Sequence, residues 1–92
     1  MSESDDTFQK LIGRKVVLDA SSRFVYAGTL VGGNDRYVIL KDVDVHDLRD
    51  STTTREMYVL ELKRYGVQAN RKRVLVWHLA IVGISALDDV ME

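Results

Sequence analysis

The sequence predicts a mainly β fold, in which a short N-terminal α-helix precedes a strongly bent, five-stranded antiparallel barrel with a helical insertion before the fourth strand. Alternating apolar residues dominate the chain, and a glycine interrupts the longest alternating stretch. The 92 residues, 46% of them hydrophobic and 29% charged, suffice for one globular core. Five antiparallel strands in so short a chain leave the fewest exposed edges when they form a small barrel. The chain is therefore predicted as a single domain, 1–92.

The N-terminal part is predicted as a flexible segment, 1–7, followed by a short amphipathic helix. A cap at Asp6 or Thr7 and a stop signal at Gly13 bound this helix. Its apolar residues recur at i, i+3 and i+4, as one stripe formed by Phe8, Leu11 and Ile12.

Three strands follow in the pattern, at residues 15–18, 23–31 and 37–46. In the second of them, apolar side chains alternate between the two faces, and Gly28 in its middle indicates a sharp bend or a close approach of backbones. The turn between the second and third strands, residues 32–35, is rich in glycine, asparagine and aspartate, which tolerate turn conformations.

The segment 46–73 is predicted as a variable insertion that contains a helix. Thr53 and Glu56 have the spacing of a capping box, and Gly66 can end the helix that they open. Residues 58–60 also suit a strand, so a strand is the competing interpretation.

Two closing strands are predicted at residues 73–78 and 80–85. The segment 70–73 before them is predicted as a basic loop, and residues 87–92 as a short acidic tail.

Composition excludes several classes of function. The formal net charge of −1 means that any nucleic-acid binding must use a local basic patch. The chain has no cysteine, which excludes a disulfide framework and favours a reducing cytosol. The longest apolar run, residues 74–84, is too short to span a bilayer, and the polar N-terminal residues do not resemble a signal peptide. We therefore expect a cytoplasmic protein without membrane association.

Residues 28–32, 38–43 and 76–84 form two sequence motifs that resemble those of the Sm-like superfamily, which includes Sm, LSm and Hfq proteins. Residues 28–32 and 38–43 read GTLVG and VILKDV, and they resemble the first Sm motif, in which a glycine bends the second strand. Residues 76–84, with Ile81 and Ile84 at apolar positions, resemble the second motif. The resemblance implies a small barrel of the SH3-like or OB-like kind that assembles into a homo-oligomeric ring, in a divergent bacterial or phage-type member.

The chain departs from the usual RNA-binding residues of this superfamily. Counted from Gly28 without a gap, Asn34 stands at the usual aspartate position and Arg36 at the usual aromatic one. With one deletion, Tyr37 replaces the usual asparagine instead. Trp77-His78 replaces arginine-glycine in the second motif, and an aromatic residue followed by a basic one is closer to Hfq. The resemblance implies a ring of six or seven subunits, and the divergence of the chain leaves five open as well.

The resemblance places two turns at the central opening of such a ring, and these turns carry the candidate RNA-binding residues. Aromatic and guanidinium planes stack on unpaired bases, so the arrangement suits single-stranded RNA. The candidates in the two turns are Asn34, Asp35, Arg36, Tyr37, Trp77 and His78. Trp77 is equally compatible with a place in the core or at a subunit interface, Tyr37 suits the core, and Arg36 can be a solvated turn residue.

A second candidate group is the basic run Arg71, Lys72 and Arg73. These cations can track a phosphate backbone, or they can simply be solvated in a loop. The acidic segment 42–50 lacks the pattern of a calcium loop and is better interpreted as a solvated strand edge.

Two hypotheses follow from the sequence. In the first, the protein is a homo-oligomeric ring that binds single-stranded RNA, of the kind used in RNA processing or RNA chaperoning. In the second, the ring is a protein-interaction scaffold that has lost RNA binding, with the helix at 54–65 as its docking surface. The sequence shows no catalytic constellation, no metal site and no cofactor site, so we expect neither enzyme activity nor a cofactor.

Overall fold

The computed structural model describes residues 6–50 and 52–92. The main elements in chain order are α1 (Thr7–Leu11), β1 (Lys15–Ala20), β2 (Phe24–Gly33), β3 (Tyr37–Asp47), α2 (Arg55–Tyr65), β4 (Arg71–Trp77) and β5 (Ile81–Ala86). Short 3-10 turns lie at Leu48–Asp50, His78–Ala80 and Leu87–Asp89. The predicted helix, five strands and second helix before the fourth strand are confirmed. Of the segment 1–7 predicted as flexible, residues 1–5 lie outside the described residues, and Thr7 begins α1.

The strands form one bent antiparallel sheet in the order β4-β3-β2-β1-β5. β1 pairs on one side with β2 and on the other with β5, so the chain curls round until its last strand lies beside its first. Within the described residues, β4 and β5 each pair along one side only, and they are the two edges of the sheet.

The sheet bends where Gly28 faces β3. A Cβ atom at this position would lie 2.9 Å from the carbonyl oxygen of Lys41 and 3.1 Å from Cγ2 of Val43. The pairing of β2 with β3 shifts register at this point, and Asp42 opposite the shift has a positive φ of 51°. The bulge in β3 therefore presses its backbone onto a position where only a residue without a side chain fits.

Apolar side chains on the concave face of the sheet form the barrel core. Its buried members are Val16, Leu18, Leu30, Val38, Leu40, Val43 and Val76. Phe8 and Leu11 of α1 pack against this core, as predicted. The helix thereby helps to close one end of the barrel. Ile12, the third residue of the predicted stripe, follows the helix and is exposed.

A second apolar cluster, the helix core, lies on the opposite face of the sheet. It joins Val17, Val25 and Ala27 of β1 and β2 to Tyr58 and Leu62 of α2. Alternate residues of β1 therefore point into different cores, with Val17 in the helix core. α2 lies within the segment 46–73 predicted as a variable insertion, and it covers one face of the sheet.

The C-terminal residues 87–92, predicted as an acidic tail, are also packed on α2. Leu87 is buried in the helix core and Val90 packs against it. The amino group of Lys63 donates to the carbonyl oxygens of Asp88 and Val90. The predicted acidic tail accounted for the charged residues of this segment but not for Leu87 and Val90, the two apolar residues that pack on α2.

Two boundaries differ from the predictions. The N-cap of α2 is Thr54, whose side chain accepts a hydrogen bond from the amide of Met57 at 3.2 Å, one residue later than the predicted capping box. Arg71–Arg73 belongs to β4 and not to a loop, because Arg71 and Arg73 pair with Val43 and Lys41 of β3. In the described part of the chain, neither helix is long and apolar enough to cross a membrane.

Candidate functional site

The two turns that carry the candidate RNA-binding residues lie side by side at one end of the sheet. Tyr37, the first residue of β3, is paired with Trp77, the last residue of β4. Their rings make an edge-to-face contact with centroids 5.5 Å apart. The amide of His78 donates a hydrogen bond of 2.8 Å to the carbonyl oxygen of Arg36, which joins the second turn to the first.

Asn34 shapes the first turn. Its side-chain Oδ1 accepts hydrogen bonds from the amides of Arg36 at 2.8 Å and Tyr37 at 3.0 Å. An asparagine side chain commonly takes this part in turns, because it replaces a backbone acceptor. The side-chain oxygen of Asn34 is thus occupied by hydrogen bonds within the turn. These bonds fix the backbone conformation that places Arg36.

Trp77 is not a core residue. Trp77 is 56% exposed, and one edge of its ring is supported by Tyr37. Tyr37 is only half-buried and is not among the residues of the barrel core, the place that the sequence favoured for it. The indole forms one wall of an open cleft of about 440 Å³. The cleft is lined by Asp35, Arg36, Trp77, His78 and Leu79. An exposed aromatic plane beside a guanidinium suits a flat, anionic or hydrogen-bonding ligand such as a nucleotide.

A second open cleft, of about 470 Å³, lies on the other side of His78 and adjoins α1. Phe8, Gln9, Asn34 and Ile81 are among the residues that line it. Sequence reasoning missed Gln9 here and Leu79 in the first cleft. Leu79 is 99% exposed. Its sequence position could have indicated this, because it is a large apolar residue that lies between the two predicted closing strands and belongs to neither.

The basic residues Arg71, Lys72 and Arg73 do not join these turns. They lie at the start of β4, and Trp77 lies at its end. Six steps along a strand of about 3.3 Å each separate Arg71 from Trp77 by roughly 20 Å. All three side chains are exposed, and Lys41 is added to the group by its pairing with Arg73. The candidate residues therefore form two separate surfaces.

The acidic segment 42–50 is not simply a solvated strand edge, because Asp44 is part of a polar network. The hydroxyl of Tyr58 donates a hydrogen bond of 2.5 Å to its carboxylate, and the amide group of Asn70 donates another of 3.1 Å. The ring of His46 stacks on Tyr58 with centroids 4.0 Å apart. Burial, followed by the hydrogen bond to Asp44, raises the pKa of Tyr58 well above its usual range. The hydroxyl thus remains a donor, and the network fastens α2 to β3.

No protein-family model matches the sequence, and no curated protein matches it either. Among solved structures, the chain is similar to the Sm protein of Pyrococcus abyssii, which was solved in complex with a uridine heptamer. The similarity has a TM-score of 0.61 at 15% sequence identity, and it covers 92% of this chain and 99% of the archaeal protein. The Sm-like fold predicted from the two motifs is confirmed. At this identity the likeness concerns the fold alone.

Proposed function

We propose that this protein forms a homo-oligomeric ring of five to seven subunits, and that the ring binds single-stranded RNA through the two adjacent turns. The observation that carries the proposal is the half-exposed indole of Trp77, which stands beside Arg36 in an open cleft. We further propose a divergent bacterial or phage-type Sm-like protein, with a role in RNA processing or RNA chaperoning.

The two edges of the sheet support assembly. The edge strands β4 and β5 expose apolar side chains that are in contact with water in a monomer, namely Leu75 at 49% and Val82 at 72% exposure. An open strand edge is a template for pairing with another chain. When β4 of one subunit pairs with β5 of the next, the contact is heterologous and can close into a ring.

The adjacent turns support RNA binding. Stacking of a base on an aromatic side chain is worth about 1–3 kcal/mol and is tolerant of sequence. A ring repeats the pair of Trp77 and Arg36 in every subunit, so the binding free energies of several weak contacts add along one RNA molecule. The archaeal protein of the same fold binds a uridine heptamer, which makes oligo(U) the first ligand to test.

We predict that the purified protein has the native mass of a pentamer, hexamer or heptamer at micromolar concentration. The exposed apolar side chains of the two edges are expected to be buried between subunits, because removing apolar surface from water is favourable. Sedimentation equilibrium measures the mass directly. A monomer across the accessible concentration range would contradict the ring.

We predict that Trp77→Ala weakens binding of oligo(U) at least tenfold, because each stacked base loses about 1–3 kcal/mol. Fluorescence anisotropy with labelled oligo(U) and oligo(A) at two salt concentrations measures the effect. Tyr65→Ala is the matched control, since Tyr65 is an aromatic residue with 75% exposure on α2. The variant's mass must first be compared with wild type, so that loss of stacking is separated from loss of assembly. Unchanged affinity in an intact ring would refute the role of Trp77.

The second candidate function is a protein-interaction scaffold without RNA binding. The observation that favours it is on α2, where Met57 is 50% exposed and Tyr65 is 75% exposed. Affinity purification that recovers one stoichiometric protein and no nucleic acid would support this function over the first.

A further inference from the structure

The two edge strands carry opposite charges, with cations at the start of β4 and carboxylates just after the end of β5. β4 begins with three exposed cations, Arg71–Arg73, and within the described residues neither Lys72 nor Arg73 forms an ion pair. β5 runs directly into the 3-10 turn that holds Asp88 and Asp89, both exposed. A protein with a net charge of −1 thus places a cationic group on one edge and an anionic group on the other.

The acidic pair is only weakly used inside the subunit. Asp88 approaches Arg14 at 3.9 Å, but its side chain is 90% exposed, and a pair of that kind contributes little. The backbone of this turn is held in place, because Lys63 donates to the carbonyl oxygen of Asp88 at 3.0 Å. The two carboxylates are therefore positioned on the surface and available to a second molecule.

The positions of the charges select one direction of pairing between edges. In an antiparallel approach, the start of β4 meets the end of β5 of the next subunit, so Arg71–Arg73 meets Asp88 and Asp89. In a parallel approach, the cations meet Ile81 at the start of β5, and the aspartates meet Trp77. Unlike charges attract and fix the register of two surfaces, so the antiparallel approach is favoured.

Gly83 gives an independent reason for the same direction. Trp77 follows Arg71 by six residues and Gly83 precedes Asp89 by six, so an antiparallel approach that joins Arg71 to Asp89 brings Trp77 near Gly83. Inside the subunit, a Cβ atom on Gly83 would meet no described heavy atom within 4 Å, so packing within the chain does not require glycine there. A glycine inside a strand often marks the close approach of another group. Here it leaves room for the backbone of the neighbouring β4 beside Trp77.

We infer that Arg71–Arg73 of one subunit binds Asp88 and Asp89 of the next, as an ionic clasp that sets the antiparallel direction of ring assembly. The occupant of the basic surface is thus a second copy of this chain and not RNA. The inference rests on the proposed ring, and it names the contact that orients its subunits. RNA then contacts the turns at the other end of β4.

Reversal of charge tests the clasp on the full chain. Two double variants place like charges at every interface, namely Arg71→Glu/Arg73→Glu and Asp88→Lys/Asp89→Lys. In each, the protein concentration at which half of the subunits are assembled is expected to rise about tenfold or more. The combined four-residue variant again joins opposite charges, so its assembly should return to within a few-fold of wild type. Equimolar mixing of the two double variants should likewise restore association. Glu56→Lys/Glu61→Lys is the control for Asp88→Lys/Asp89→Lys, because it makes the same charge change on exposed positions of α2.

Sedimentation at low and high salt is the readout, with thermal unfolding recorded for each variant. Wild-type assembly should weaken as salt increases, because exposed ion pairs are screened. A variant that fails to fold cannot be rescued by its complement, so recovery on mixing separates a lost clasp from a lost fold. Full assembly of both double variants, or no recovery in the combined variant, would overturn the clasp while the ring remained. If Arg71→Glu/Arg73→Glu assembled normally but bound RNA more weakly, the cations would be RNA-binding residues, and the clasp would again be overturned. A monomeric wild-type protein would remove the ring and the clasp together.

Discussion

Substitution of Gly28 by alanine is expected to lower the free energy of unfolding by about 2–3 kcal/mol, although it adds only one methyl group. That methyl carbon would lie 2.9 Å from the carbonyl oxygen of Lys41, 3.1 Å from Cγ2 of Val43 and 3.2 Å from the carbonyl oxygen of Asp42. Two of the three neighbours are backbone atoms, which cannot move aside as a flexible side chain can. Relief requires the bulge in β3 to open, and opening it would displace Val43 from the barrel core.

Urea denaturation followed by circular dichroism measures this loss. Gly32→Ala is the matched control, since it makes the same change in the same strand where a Cβ would meet no described atom within 4 Å. Alanine also suits an extended backbone slightly better than glycine, so the control should be neutral or mildly stabilising. Equal stability of the two variants would show that the sheet does not bend tightly at Gly28. For a domain whose whole stability is about 5–15 kcal/mol, the expected loss at Gly28 is large.

Gly28 also shows which parts of the fold were predictable from sequence. A glycine inside an alternating apolar strand is a local signal, and it correctly indicated the bend. The partner of that bend, the positive φ of Asp42, was not predicted. Aspartate tolerates this conformation but does not demand it, so the bulge is determined by the pairing of two distant segments.

The candidate site divides in the same way. The resemblance to Sm motifs indicated that two turns distant in sequence lie together, and the pairing of Tyr37 with Trp77 places them so. It did not indicate that Asn34 is used within its own turn. The cations at 71–73 were interpreted as a loop, whereas pairing with β3 extends β4 to Arg71. Long-range pairing thus decided a boundary that local composition could not.

The helix core was the largest omission. Its members come from β1, β2, α2 and the C-terminal residues, and no periodicity along the chain connects them. Residues 16–18 are all buried because both faces of β1 are covered, and a continuous apolar run is typical of such a strand. That run was visible in the sequence. What covers the second face was not, because Leu87 and Val90 stand among acidic residues.

Substitution of Leu62 by alanine is expected to lower the free energy of unfolding by about 3 kcal/mol. Leu62 is 4% exposed and contacts the helix core, so its truncation leaves a cavity between α2 and the sheet. The surrounding groups have little freedom to fill it, because Tyr58 is fixed to Asp44 and the C-terminal residues are held by Lys63. Chemical denaturation of wild type and variant under the same conditions gives the difference.

Met57→Ala separates a specific loss from a general effect of truncating an apolar residue on α2. Met57 lies on the same helix and is 50% exposed, so its replacement should change stability by no more than about 0.5 kcal/mol. The contrast between the two positions decides what the segment between β3 and β4 is. A variable insertion attached loosely to the barrel would tolerate both substitutions alike. A helix that completes the second face of the sheet, as the burial of Tyr58 and Leu62 indicates, tolerates only the one that points to solvent.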